Sequence, residues 1–445
     1  MNKNKDYLIT EKPSRALFAF ALPMIIGNLF QQAYTIVDSA IVGHYVGETA
    51  LAAVGASYAL TSIFICVAIG GGIGASVIIS QHFGGHAYSR MKTSIRTAML
   101  SFLLISLLLG GIGLCFSRQI MEALNTPADA MDIAVIYLNI YFYGLPFLFM
   151  YNILSSMFNA LGESRIPLYL LIFSSVLNIF LDLYMVATLH LGVAGAAYAT
   201  FIAQGISAVC SFLIFQHTLR RLDGKAETWF SKAEFSSMSR IALPSILQQS
   251  TVSIGMMLVQ SVVNGFGTQI LAGFSAGMRI ESLCVVPMAA IGNALSSYTA
   301  QNIGAEKHER ISLGYRTANI MVAITAIILC LFLELLHRPL IALFLDGAPS
   351  AQTVATGEGY LRFIGFFFCM IGFKMAVDGI LRGAGAVKVF TIANLVNLGL
   401  RVLIAKLGAP VYGIAMIWYA VPLGWLANFL ISYGYYRTGK WKQLK

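Results

Sequence analysis

Charge is what this sequence has least of. Asp, Glu, Lys and Arg make up 11% of its 445 residues, against 58% hydrophobic residues. A soluble globular domain carries about 25% charged residues, so a soluble fold is excluded. No stretch between the apolar runs approaches the ~100 residues of an ordinary soluble domain. Other absences remove whole classes of function. The chain has no GxxxxGK[ST] phosphate loop, and so no ATP engine of its own. It has no GxSxG or comparable nucleophile arrangement, which argues against an enzyme. Its seven histidines are scattered without HExxH spacing. Its six cysteines (Cys66, Cys115, Cys210, Cys284, Cys330 and Cys369) fall singly in apolar runs, as small packing residues do and metal ligands do not. The polar start, MNKNKDYLITEKPSR, lacks the short apolar core and small-residue cleavage site of a signal peptide, so none is expected. No cofactor is called for.

Long apolar runs fill the rest. A helix needs about 20 apolar residues to cross the hydrocarbon core of a bilayer. Twelve such spans are expected, near 14–43, 51–80, 93–117, 133–158, 165–188, 193–217, 235–263, 271–302, 314–338, 358–381, 386–407 and 410–436. The runs are long and do not alternate, which argues against a β-barrel. The net charge of +10 raises nucleic acid as a partner, but its distribution answers to membrane topology instead. With the N-terminus inside, 22 of the 29 Lys and Arg fall on the inner side, Lys3, Lys5 and Lys445 among them. The outer side holds Arg118, Arg338, Arg362 and Lys406. This bias places both termini in the cytoplasm of a multi-pass plasma-membrane protein. The polar stretch 218–234 reads as a cytoplasmic linker between a first lobe, 1–217, and a second, 235–445.

The chain also repeats itself. Gln81 to Ala98 reads QHFGGHAYSRMKTSIRTA, and Gln301 to Ala318 reads QNIGAEKHERISLGYRTA. Six positions match where chance gives roughly one, a mark of internal duplication. Ala21-Leu22-Pro23 pairs with Ala242-Leu243-Pro244, and Gly162 with Arg165 pairs with Gly385 and Lys388. Six spans per copy is an even number, so the two lobes share one orientation about a pseudo-twofold axis along the membrane normal.

The acids break this symmetry. Asp38 stands opposite about Val259, while Asn178 and Asp182 stand opposite Arg401 and Ala405. An acid within a span is costly, by roughly 2.5–3.5 kcal/mol on insertion scales, and suggests function. Gln31, Tyr34 and Asp38 share one face of span 1, and Asn178 and Asp182 one face of span 5. By residue count both acids lie about 8–9 Å from the outer ends of their spans, so one pocket can take both. Such a pocket suits a proton, since two close carboxyls in a low dielectric resist double ionisation, or a small hard cation bound by oxygens. The plainer alternative is a structural hydrogen bond or contact with water. Lys374 and Asp378, four apart in span 10, are expected to pair with each other. Arg279 and Glu281 lie off one another's face in span 8, so each needs another partner, and for Glu281 a substrate or coupling role stands beside a structural one. Pro23 inside span 1 predicts a bend, which would move the face carrying Tyr34 and Asp38.

These residues together resemble the multidrug and toxic compound extrusion (MATE) family over nearly the whole chain. The resemblance rests on the ALP start of each copy, Asp38 in QQAYTIVDSAIVG, SQHFGG and AQNIGAE after spans 2 and 8, NALGESRIP after span 4, LRGAG after span 10 and NIFLD in span 5. It implies an all-α polytopic fold of twelve transmembrane helices, in two six-helix lobes around a central cleft of alternating access. It also implies export of drug-like organic compounds, often cations, in exchange for H+ or Na+, by a monomer among membrane lipids. The pattern is most similar to the DinF-like prokaryotic branch. That likeness implies a coupling-ion site of Asp38, Asn178, Asp182 and Thr200 in the N-terminal lobe, with a polar network through Tyr34, Tyr137 and Asn152. Gln31 and Glu281 join the residues expected to meet substrate or network. The acids of the NorM-like branch are missing from spans 7 and 10, where Gln248, Gln249 and Ile371 stand, so a second-lobe cation site is not expected. The alternative within the superfamily is a flippase for a lipid-linked precursor, which would favour a cleft rich in Arg and Lys. A non-transporting receptor or scaffold fits the duplication and buried acids less well.

Overall fold

In lipid every backbone N–H and C=O must find its partner inside the chain, so long apolar runs become helices. The computed structural model describes residues 6–46, 48–124, 126–345 and 350–443, and those residues form helices and turns with no strand. Lys3, Lys5 and Lys445 of the charge pattern lie outside the described residues. After a one-turn helix, Tyr7–Thr10, the first copy runs α1 (Pro13–Val46), α2 (Glu48–Gly84), α3 (Tyr88–Ala123), α4 (Ala128–Ala160), α5 (Arg165–Asp182) and α6 (Gly192–Arg220). The second runs α7 (Lys232–Asn264), α8 (Thr268–Gly304), α9 (His308–Leu343), α10a (Ala351–Gly365), α10b (Phe368–Gly383), α11 (Val387–Tyr412) and α12 (Ala415–Thr438).

Eleven of these helices are long and apolar enough to cross a membrane, and α10a with α10b makes a twelfth span bent by 52°. The single span expected at 358–381 is therefore corrected to a broken one that starts at Ala351. Gly365, a weak helix former, ends α10a. The Phe367 N–H then closes on the Ile364 carbonyl at 2.9 Å, a tighter turn than an α-helix makes. Span 5 also departs from regularity. Its α-helix stops at Asp182 and continues as a π-helical segment, Leu183–Thr188.

The chain packs into two compact units, Ile26–Ile246 and Met1–Ile25 with Leu247–Lys445. The cuts fall inside α1 and α7. Each cut lies just after a member of the repeat pair Pro23 and Pro244. A helix-internal proline removes one backbone hydrogen bond and separates the turns on either side. Leu8, Ala16, Leu17 and Phe20 are accordingly buried with Phe274, Met288 and Tyr298 in the second unit. Met238 of α7 is buried with Phe83, Met91 and Phe215 in the first.

The repeated QxxG motif holds these entry segments. In the first unit Glu234 accepts from Ser94 at 2.7 Å and Arg90 at 3.3 Å, and pairs with His82 Nε2 at 3.0 Å. In the second, Asn302 Nδ2 donates to the Leu8 carbonyl at 3.1 Å, Lys307 Nζ to Ile9 at 3.0 Å, and Arg310 to the Leu8 and Glu11 carbonyls. His82 and Asn302, and Arg90 and Arg310, are repeat partners. Each copy thus uses the same turn to fix the first turn of a proline-bearing helix or the chain just ahead of it. Replacing Glu234 by Ala leaves three donors facing a buried void. The expected cost is about 1–3 kcal/mol, read as a lower melting temperature of the purified protein, and an unchanged melt would contradict it.

Candidate functional site

In the first unit, α1, α5 and α6 bring together the residues that sequence spacing grouped in pairs. Asp182 is fully buried and Asn178 is 2% exposed. In the amide orientation that pairs every group, Asn178 donates to the Tyr34 hydroxyl and to Asp182 Oδ2, both at 2.8 Å, and accepts from the Thr200 N–H at 3.1 Å. Thr200 Oγ1 donates to the Ala196 carbonyl of its own helix at 3.1 Å. The Asp38 and Asp182 carboxyls lie within electrostatic reach of each other, and the Tyr137 hydroxyl is within reach of both. A hydrogen bond between the two carboxyls would need one proton between them, since an ionised carboxylate only accepts. Each acid keeps a buried Oδ1 with no hydrogen-bond partner. Among the described residues no Lys or Arg forms an ion pair with either acid. The π-helical segment begins one residue after Asp182, and such segments recur at functional sites.

Two expected members stand apart. Gln31 is exposed, and its backbone carbonyl takes the Thr35 hydroxyl at 2.9 Å. Asn152 spends its Nδ2 on the Leu148 carbonyl of α4 at 2.8 Å. It lies fifteen residues along α4 from Tyr137, roughly 22 Å of helix, so the two do not meet. Likeness of sequence alone grouped them. Pro23 sits in the part of α1 that packs with the second unit.

The second unit holds a different constellation around a cavity of about 210 Å³. Glu281, Lys374 and Arg401 line it, with Gln248, Asn394, Asn397 and an apolar wall that includes Trp425. Lys374 pairs with Asp378 at 3.0 Å, as the spacing predicted, and donates to Asn394 Oδ1 at 3.2 Å. Asp378 is backed by the Ser432 hydroxyl at 2.8 Å. Glu281 accepts from the Tyr360 hydroxyl at 2.5 Å, and Arg401 is within electrostatic reach of both. Sequence reasoning missed Tyr360, Asn394 and Asn397. Asn394, Asn397 and Arg401 recur at the same i, i+3, i+7 spacing as Gln31, Tyr34 and Asp38, which was the available signal.

The MatE family model matches residues 23–184 and again residues 244–407. Each match begins on one of the paired prolines. The chain belongs to the MatE family. As a MatE protein it is a membrane transporter rather than an enzyme. It is 31% identical over 97% of its length, and 96% of the relative's, to a probable multidrug resistance protein, YpnP, of Bacillus subtilis. It is 23% identical over 95% of its length, and 94% of the relative's, to a FAD transporter of Shewanella oneidensis. Its fold matches an outward-facing multidrug resistance MATE family transporter of the MOP superfamily with a TM-score of 0.88, at 22% identity and full coverage of both chains.

Proposed function

We propose that this MatE protein is an antiporter that exports drug-like organic compounds across the plasma membrane, driven by H+ or Na+ taken up at Asp38 and Asp182. Both termini face the cytoplasm on the strength of the positive-inside bias, and the transporting unit is the monomer. The observation that carries the reading is the carboxyl pair, Asp182 fully buried and Asp38 half-buried. One proton would be enough to join Asp38 and Asp182, and two carboxyl oxygens remain unpartnered. The same oxygens, with Asn178 and Thr200, offer the hard donor set a sodium ion uses. An ion bound there alters the packing of α1 against α5, and coupling requires that it favour one access state over the other.

The test is dye efflux from proteoliposomes with a proton gradient and a sodium gradient imposed separately. Flux with one gradient alone is expected, and identifies the coupling ion. Dye flux that ignores both gradients would overturn antiport.

A further inference from the structure

The repeat places a cation where the first copy has an amide, since Arg401 of α11 stands opposite Asn178 of α5. Around the second unit's cavity this changes the chemistry altogether. Two carboxyls without a basic ion-pair partner mark the first unit among the described residues. Here two cations, Lys374 and Arg401, meet two carboxyls, Glu281 and Asp378, so the formal charges cancel. Burying further net charge in such a place is costly. A ligand of zero net charge avoids that cost, whereas a simple organic cation does not.

The hydrogen bonds left open specify the ligand further. Arg401 Nε is a buried donor without a partner, and Gln248 Oε1 is a buried acceptor without one. Both residues line the same cavity. The other charged groups of the lining already have partners: Lys374 with Asp378 and Asn394, and Glu281 with Tyr360. A cavity of ~150 Å³ holds a benzene ring, so this larger one admits a substituted ring against Trp425 and the apolar wall.

We infer that this cavity is a substrate subsite for a zwitterionic aromatic compound, its carboxylate on Arg401 and an N–H on Gln248. The inference rests on the transporter reading and names its substrate class. Arg401 supplies a planar, permanently charged donor set matched to a carboxylate. Gln248 accepts from the ligand's amine or amide end. Lys374 stays neutralised by Asp378 and adds no free charge.

The test is equilibrium binding to the purified full-length protein, read by fluorescence anisotropy, with no ion gradient. Rhodamine 110 is a zwitterion, and rhodamine 123 is its methyl ester and a cation on the same ring system. Wild type is expected to bind rhodamine 110 about tenfold more tightly than rhodamine 123, the scale of one charge-assisted hydrogen bond. Arg401→Gln is expected to abolish that preference while leaving rhodamine 123 binding in place, which also reports that the variant is folded. Gln248→Leu should weaken both dyes, because they carry the same amino groups, and leave the preference for rhodamine 110 in place. Equal or stronger binding of the ester to wild type, no saturable binding of rhodamine 110, or a uniform loss of both dyes in a folded Arg401→Gln protein would overturn the subsite. Transport plays no part in the readout. A preserved preference beside gradient-independent flux would sink antiport and leave the subsite standing.

Discussion

The Asp182→Asn protein is expected to fold and to lose gradient-driven efflux by about 100-fold, the upper range of an ordinary coupling free energy. The side chain is fully buried in α5 beside Asp38, Asn178 and the start of a π-helical segment. Asn has nearly the shape of a protonated Asp and can still hydrogen-bond, so packing is kept. What it cannot do is give up and regain a proton, or present an anionic oxygen to sodium. The bound and free states of the ion site then become one, and a gradient has nothing to bias. Asp38→Asn is expected to act in the same way, and the double variant should be little worse than either single one, because the two carboxyls work as a pair. The measurement is initial efflux rate in proteoliposomes, with melting temperature as the folding control. Full flux in the single variants with an intact melt would remove Asp38 and Asp182 from the mechanism.

Much of this pair was legible before any coordinates. An acid in an apolar run stands out because its insertion is costly, and i, i+4 spacing puts Asn178 and Asp182 on one face whatever the tertiary fold. Run length likewise gave the twelve spans, and the repeated prolines were visible as ALP in both copies. Three features were not legible, for a common reason. The break between α10a and α10b, the π-helical segment after Asp182 and the cuts after Pro23 and Pro244 all depend on what packs beside the helix. Hydropathy averages over that. Asn152 came from family likeness rather than from spacing, and its amide nitrogen is held by its own helix carbonyl. Tyr360 escaped notice because an aromatic in an apolar span reads as packing until its hydroxyl is seen on Glu281.

Gly379→Leu is expected to prevent accumulation of folded protein, a larger structural effect than any single change at the ion site. A Cβ at Gly379 would lie 2.3 Å from the Gly292 carbonyl oxygen, and one at Gly383 would lie 2.3 Å from that of Ser296. The obstacle in each case is backbone, not a side chain that can swing aside. Glycines on α8 and α10b thus let the two helices approach closely, as small residues do where membrane helices pack. That approach belongs to the cavity as well as to the fold. Glu281 rides on α8, Lys374 and Asp378 on α10b, and Arg382 at the end of α10b ties back to Asn293 and Ser296 of α8 at 2.7 and 3.3 Å. Gly379→Ala, the mildest version, must push the helices apart or distort one, at about 1–3 kcal/mol, the usual cost of overpacking. A stepwise fall in melting temperature and yield from Gly to Ala to Leu is the expected result. Rhodamine 110 binding to the Ala variant should weaken with it, because the groups that line the cavity from α8 and α10b no longer hold their spacing. Wild-type melting for the Leu variant would mean that the two helices do not cross at this glycine in the folded protein, and the geometry of the second-unit cavity would have to be redrawn.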